Sequence, residues 1–167
     1  MLHPFLSQIR DQVFKNIQRS IGDSNDVERS MSYSALSNSK MIRAGLIFAS
    51  GRMNKNISQN SLLTLASSVE LIHTYSLIHD DLPCMDDDDY RRGKASNHIE
   101  FGEANAILSG DALQTLAYEI ICDDDDLSPA GKIDAIKLIS KACGKNGMVF
   151  GQHLDIKSES KNLNEKS

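Results

Sequence analysis

The chain has 167 residues, 40% hydrophobic and 25% charged, with a formal charge of −5. That length suits one domain with a sizeable core and is short for two, and the acidic balance speaks against nucleic acid as a partner. No apolar stretch approaches the roughly 20 residues of a membrane helix, and the start, Met1-Leu2-His3-Pro4, carries no basic or apolar leader region. Cys84, Cys122 and Cys143 show no CxxC spacing, which suits reduced thiols and argues against zinc. The expectation is a soluble, cytoplasmic protein without a membrane span.

Helical periodicity dominates and alternating strand patterns are nearly absent. Phe5, Ile9, Val13, Ile17 and Ile21 recur every four residues and predict a first helix, ended by Gly22-Asp23. A short second helix is predicted over 26–36. A third, from near Lys40, carries Ile42, Leu46, Ile47, Ala49 and Met53 and makes Lys40 and Arg43 surface neighbours three apart. The fourth has Ser61 as N-cap and a stripe of Leu62, Leu65, Ala66, Val69, Ile72 and Ser76, with Pro83 stopping it. The fifth spans about 103–122. The sixth opens at Ser128-Pro129, an N-cap followed by proline at the first helical position, and carries Ile133, Ile136, Ile139 and Cys143. Residues 1–155 thus read as one all-α domain of about six helices, and 156–167 as a polar tail too poor in apolar surface to order itself.

The charge is unevenly spread. Ten of the 23 acids fall in two runs: Asp80 and Asp81 with 86–89, and 123–126. The first run closes an apolar helix, where the macrodipole already disfavours negative charge, and is followed by Arg91-Arg92. Carboxylates accepted at that cost point to bound cations; hard oxygen ligands mean Mg²⁺ or Ca²⁺, and guanidinium forks match phosphate oxygens. A solvated acidic loop with local counter-charges is the competing reading, and it is the one that suits 123–126, which has no arginine pair. His73 and Asp80, seven apart, lie within about 20° on one helix face. With Ser76 between them they form a polar strip, as on a helix bordering a polar cavity.

The stretch Glu70-Leu71-Ile72-His73-Thr74-Tyr75-Ser76-Leu77-Ile78-His79-Asp80-Asp81-Leu82-Pro83-Cys84-Met85-Asp86 resembles the first aspartate-rich motif of the trans-prenyl diphosphate synthases, in its bacterial farnesyl form. Phe101-Gly102-Glu103-Ala104-Asn105-Ala106 and the residues to Leu113 resemble the helix that follows it in those enzymes. Gly151-Gln152-His153-Leu154-Asp155 is similar to their GQxxD segment. The resemblance implies the N-terminal half of an isoprenoid synthase helical bundle that joins an allylic diphosphate to isopentenyl diphosphate, with Mg²⁺ as cofactor. It implies Asp80, Asp81 and Asp86 as catalytic, Asp80 and Asp86 holding the metal, and Arg91 on the allylic diphosphate. Lys40, Arg43, His73 and Arg92 would hold the isopentenyl diphosphate. Tyr75 would form the floor that limits product length, favouring a farnesyl product. Small-molecule diphosphates are the implied partners, and a homodimer the implied assembly.

The sequence also departs from that pattern. The family's GGKRxRP stands here as Asn38-Ser39-Lys40-Met41-Ile42-Arg43-Ala44, without its glycines, middle arginine and proline. The family's second aspartate-rich motif lies beyond Ser167. These 167 residues are therefore expected to be poor catalysts by themselves, with a non-catalytic Mg²⁺–diphosphate binding module as the alternative.

Overall fold

The structure, a computed structural model, describes residues 4–53 and 56–158. Helix α1 (Pro4–Ile21) buries Ile9, Val13, Ile17 and Ile21, the four-residue repeat legible in the sequence. Gly22 ends it at φ +81°, a conformation that costs glycine little and other residues more. Helix α2 (Asp26–Ala35) is capped by the Asn25 side chain, which accepts from the Glu28 N–H.

Helix α3 (Ile42–Gly51) begins two residues later than Lys40. Met41 takes the N-cap position at φ 51° and supplies no side-chain cap. Lys40 therefore precedes the helix, and the expected pairing of Lys40 with Arg43 on one helix face does not occur. The face turned inward is Ala44, Gly45 and Phe48, while Ile42 and Leu46 are exposed.

Helix α4 (Gln59–Asp80) is the axis of the molecule, with α1, α3 and α6 (Glu103–Cys122) packed around it. Its N-cap is Ser58 rather than Ser61: the Ser58 hydroxyl accepts the Ser61 N–H at 3.0 Å. A single apolar stripe was expected. Burial instead runs nearly all round, through Leu62, Ala66, Leu71, Tyr75 and Ile78 and through Ser67 and Ser68. The small serines let neighbouring helices approach closely, and Asn16 of α1 donates to Ser67 Oγ at 3.0 Å. Leu65 and Val69 of the expected stripe are half-buried and line an open apolar groove with Ile47, Leu138 and Ile139.

After α4 comes a small antiparallel hairpin, β1 (Tyr90–Arg91) and β2 (Lys94–Ala95), turning through Arg92 at φ 55° and Gly93 at φ 80°. Helix α5 (Asn97–Phe101) follows it. The expected cap at Ser128 opens α7 (Pro129–Cys143), its oxygen accepting the Gly131 N–H. The stripe of α7 is only partly covered: Cys143 is buried, Ile136 and Ile139 half-buried, and Ile133 exposed. Helix α8 (Met148–Ser158) runs past residue 155; residues 159–167 of the expected tail lie outside the described residues. The all-α class holds, with eight helices among the described residues rather than about six.

Two polar clusters fix how the helices meet. The run 123–126 is not simply a solvated loop. Asp124 is buried and accepts the N–H groups of Asp126 at 2.9 Å and Leu127 at 2.8 Å, and the Ser61 hydroxyl at 3.0 Å. Burial works against its charge, but hydrogen bonds from Thr64, Ser61, Leu127 and Asp126 outweigh it and hold the carboxyl below its ordinary value. The second cluster joins α2, α5 and α6. Ser30 Oγ donates to Asn97 Oδ1 at 2.8 Å, Asn97 Nδ2 donates to the Ser30 carbonyl at 2.9 Å, and Ser109 Oγ donates to Ser30 Oγ at 2.7 Å. Removing one member strands the others away from water, so Asn97→Ala is expected to cost about 3 kcal/mol. Urea unfolding measures this, and an unchanged midpoint would show the network to be idle.

Candidate functional site

The C-terminal half of α4 carries the candidate residues, and the turn beyond it folds back on itself. The Met85 N–H bonds the Leu82 carbonyl at 2.8 Å and the Asp86 N–H bonds the Asp80 carbonyl at 2.9 Å. This reversal brings Asp86 back beside Asp80. Burial first, and then the Asp86 charge, push the Asp80 carboxyl above its ordinary value, with Arg91 opposing and Asp81 and Asp155 adding to the rise. Asp80 is partly buried and Asp86 exposed.

Asp81 takes a different place. Its side chain is 4% exposed and meets Arg91 Nη2, while Arg91 Nε donates to the same oxygen at 2.6 Å. Arg91 also reaches Asp88 at 3.3 Å and stands 4.0 Å from Asp80. Burial pushes the Asp81 carboxyl up and the Arg91 contact works against the rise; the bond to Asp81 in turn raises Arg91. The three aspartates are thus divided, Asp80 and Asp86 on one side and Asp81 tying the hairpin to α4.

Beside Asp80 an apolar cavity of about 360 Å³ opens between α4 and α8, its walls including Tyr75, His79, Met85, Met148 and Ile156. Tyr75 is 6% exposed and meets His79 edge-on at 5.8 Å. His79 Nε2 lies 3.0 Å from the Ile107 carbonyl, and a Cβ at Gly110 would fall 2.1 Å from its ring. Glycine there is what lets the imidazole pass close to α6. From α8, Gln152 Nε2 donates to Asp80 Oδ1.

Lys40, Arg43, His73 and Arg92 line a second cavity, of about 260 Å³, together with Glu70. They come from four places in the chain: the loop before α3, α3 itself, α4 and the hairpin. Arg92 Nη1 donates to Ser37 Oγ at 3.1 Å. Burial, then Arg43, Arg92 and Arg91, lower the His73 pKa to about 4, so its ring is neutral at pH 7. Of the expected polar strip, His73 faces this second cavity, while Ser76 and Asp80 face the first.

The Polyprenyl synthetase family model matches residues 24–167. The chain belongs to this family. Farnesyl diphosphate synthase of Escherichia coli (strain K12) is 50% identical over 139 residues, covering 82% of this chain and 46% of its own length. The enzyme of the same name from Geobacillus stearothermophilus is 45% identical over 140 residues, covering 82% of this chain and 46% of its own. An FPP/GFPP synthase from Zymomonas mobilis superposes with a TM-score of 0.89 at 36% identity, covering 95% of this chain and 58% of that one. A geranyltransferase from Legionella pneumophila gives a TM-score of 0.88 at 36% identity, with 96% and 57% covered. The chain spans about half the length of the curated relatives it matches.

The family implies Mg²⁺, and the residues present fit it. Among the described residues no group of three or more His, Cys, Asp or Glu could hold a metal unaided. Mg²⁺ does not require one, since it takes one or two carboxylates and completes its shell with water and phosphate oxygens. Asp80 and Asp86, with Asp155 in the same field, are crowded carboxylates of the kind that such a cation would relieve.

Two residues at these cavities carried no assigned role from sequence. Gln152 stood in the GQxxD segment, whose spacing gave no hint that its amide meets Asp80. Glu70 opened the aspartate-rich stretch, with no role assigned to it.

Proposed function

We propose that the chain serves prenyl transfer, binding an allylic diphosphate at Asp80 and Asp86 and isopentenyl diphosphate in the cavity of Lys40, Arg43, His73 and Arg92. The observation carrying this reading is the pairing of an acidic-mouthed apolar cavity with a separate cationic one along the same helix. Asp80 and Asp86 would hold Mg²⁺, which when bound would supply the positive charge that favours ionisation of the allylic diphosphate. Arg91, fixed by Asp81, adds positive charge beside Asp80. The apolar wall from Tyr75 to Ile156 accepts the prenyl chain. Tyr75 bounds that space and favours a farnesyl-length product. The cationic cavity orients the isopentenyl alkene for attack.

No described helix is long and apolar enough to cross a membrane; the proposed setting is the cytoplasm, with a homodimer as the proposed assembly. The test is incubation of the purified chain with Mg²⁺, labelled isopentenyl diphosphate and geranyl diphosphate, with geranyl diphosphate binding measured in parallel. Metal-dependent binding with slow farnesyl diphosphate formation is expected. Because the chain spans about half of its relatives, a second reading is a Mg²⁺–diphosphate binding module, which predicts the binding without any product. Absence of metal-dependent binding would remove both.

A further inference from the structure

Glu70 is an acid inside a cavity read as an anion site. It is 4% exposed, and it lines the space occupied by Lys40, Arg43, His73 and Arg92. Its Oε1 accepts the Ala44 N–H at 3.1 Å, supplying from α4 the cap that Met41 does not give α3. The proline of the family pattern at this position would have no N–H to offer.

We propose that Glu70 is a positioning residue, an internal carboxylate that holds Arg43 and Arg92 aimed into the cavity and so prepares it for a diphosphate. The inference rests on the reading of this cavity as a diphosphate site. Arg43 is adjacent to the capped Ala44, so the cap fixes the backbone from which its guanidinium projects. Arg43 and Arg92 repel one another, while the Glu70 charge attracts both. The Glu70 charge acts on both guanidiniums across the cavity that the three residues line; without it only their mutual repulsion remains.

The consequence has an unusual sign. If Glu70 acted through its field alone, removing its charge would tighten anion binding. A positioning role makes the same change weaken it. Inorganic pyrophosphate, titrated calorimetrically into the full chain without divalent metal, reports on the cationic cavity alone. Glu70→Gln keeps the size and the acceptor oxygen for Ala44, and is expected to bind about tenfold more weakly with its circular dichroism unchanged. In a background carrying both Arg43→Ala and Arg92→Ala the same change is expected to alter binding less than twofold, because the residues through which it acts are gone. Glu70→Asp, which keeps the charge, is expected within threefold of the unmodified chain, and carries the test by itself if Glu70→Gln does not fold. Unchanged or tighter binding by Glu70→Gln, the same loss in both backgrounds, or a tenfold loss with Glu70→Asp would each overturn the proposal. Failure of the unmodified chain to bind pyrophosphate would instead remove the cavity's reading, and this inference with it.

Discussion

Asp80→Ala is expected to weaken Mg²⁺-dependent geranyl diphosphate binding by about 100-fold or more. Losing a partner one step removed from a metal typically costs 10- to 100-fold, and Asp80 is read as a direct ligand. The change should leave the fold intact, because the carboxylate stands in an unfavourable place. It ends α4, where the helix dipole opposes negative charge, and its neighbours Asp86, Asp81 and Asp155 all push its protonation upward. Thermal stability is therefore expected to hold or rise by about 0.5 kcal/mol, net of the lost Gln152 bond. Binding lost while stability is kept marks a residue retained for its ligand. Asp125→Ala, an exposed change of the same charge in the second acidic run, is the control and should alter neither property. Equal affinity in Asp80→Ala and the unmodified chain would sink the metal assignment.

Much of this arrangement was legible in the residues, and what was missed has definable causes. Repeats such as Ile9, Val13, Ile17 and Ile21 marked helices well because α1 buries one face. The same reasoning failed for α4, which is covered on several sides, so its stripe said little about orientation. The cap at Ser128 was found because proline follows it. Ser58, not Ser61, caps α4, and nothing local in the sequence separates two serines three apart. Helix α5 is five residues long, and α8 buries none of its side chains, so neither produced a readable period.

At the site, the resemblance named four residues for one diphosphate, and they do line one cavity. The helix expected to hold two of them together starts too late to do so. Asp81 was grouped with its neighbours by sequence, although one further step along the helix turns it toward Arg91. Asp124 shows the reverse error. A run of four aspartates looks uniformly solvated, yet one of them ties the loop before α7 to the start of α4. Such long-range partners, like that of Glu70, are fixed by tertiary packing and leave no mark in spacing.

His73 is expected to take up a proton when the cationic cavity fills. Its ring is held neutral by burial and by the positive field of Arg43, Arg92 and, least, Arg91, with Lys40 lining the same cavity. Glu70 is the acidic group lining that space. The folded pKa, lowered to about 4 from 6.5, lies below the unfolded value. The unfolded chain therefore binds more protons between those values, and stability falls as pH drops from about 6.5 toward 4. The His73 share of that loss is on the order of 2 kcal/mol after allowance for solvent screening. A diphosphate reverses the field, making the charged imidazolium the favoured state and its titration point higher. Pyrophosphate itself exchanges protons between pH 6 and 8, so the His73 share is the difference between the unmodified chain and His73→Gln, which keeps a polar side chain in the cavity. Net proton uptake at pH 6, read from the dependence of the calorimetric heat on the buffer's ionisation enthalpy, should be greater in the unmodified chain. Equal proton exchange in the two proteins would leave His73 outside the diphosphate's reach.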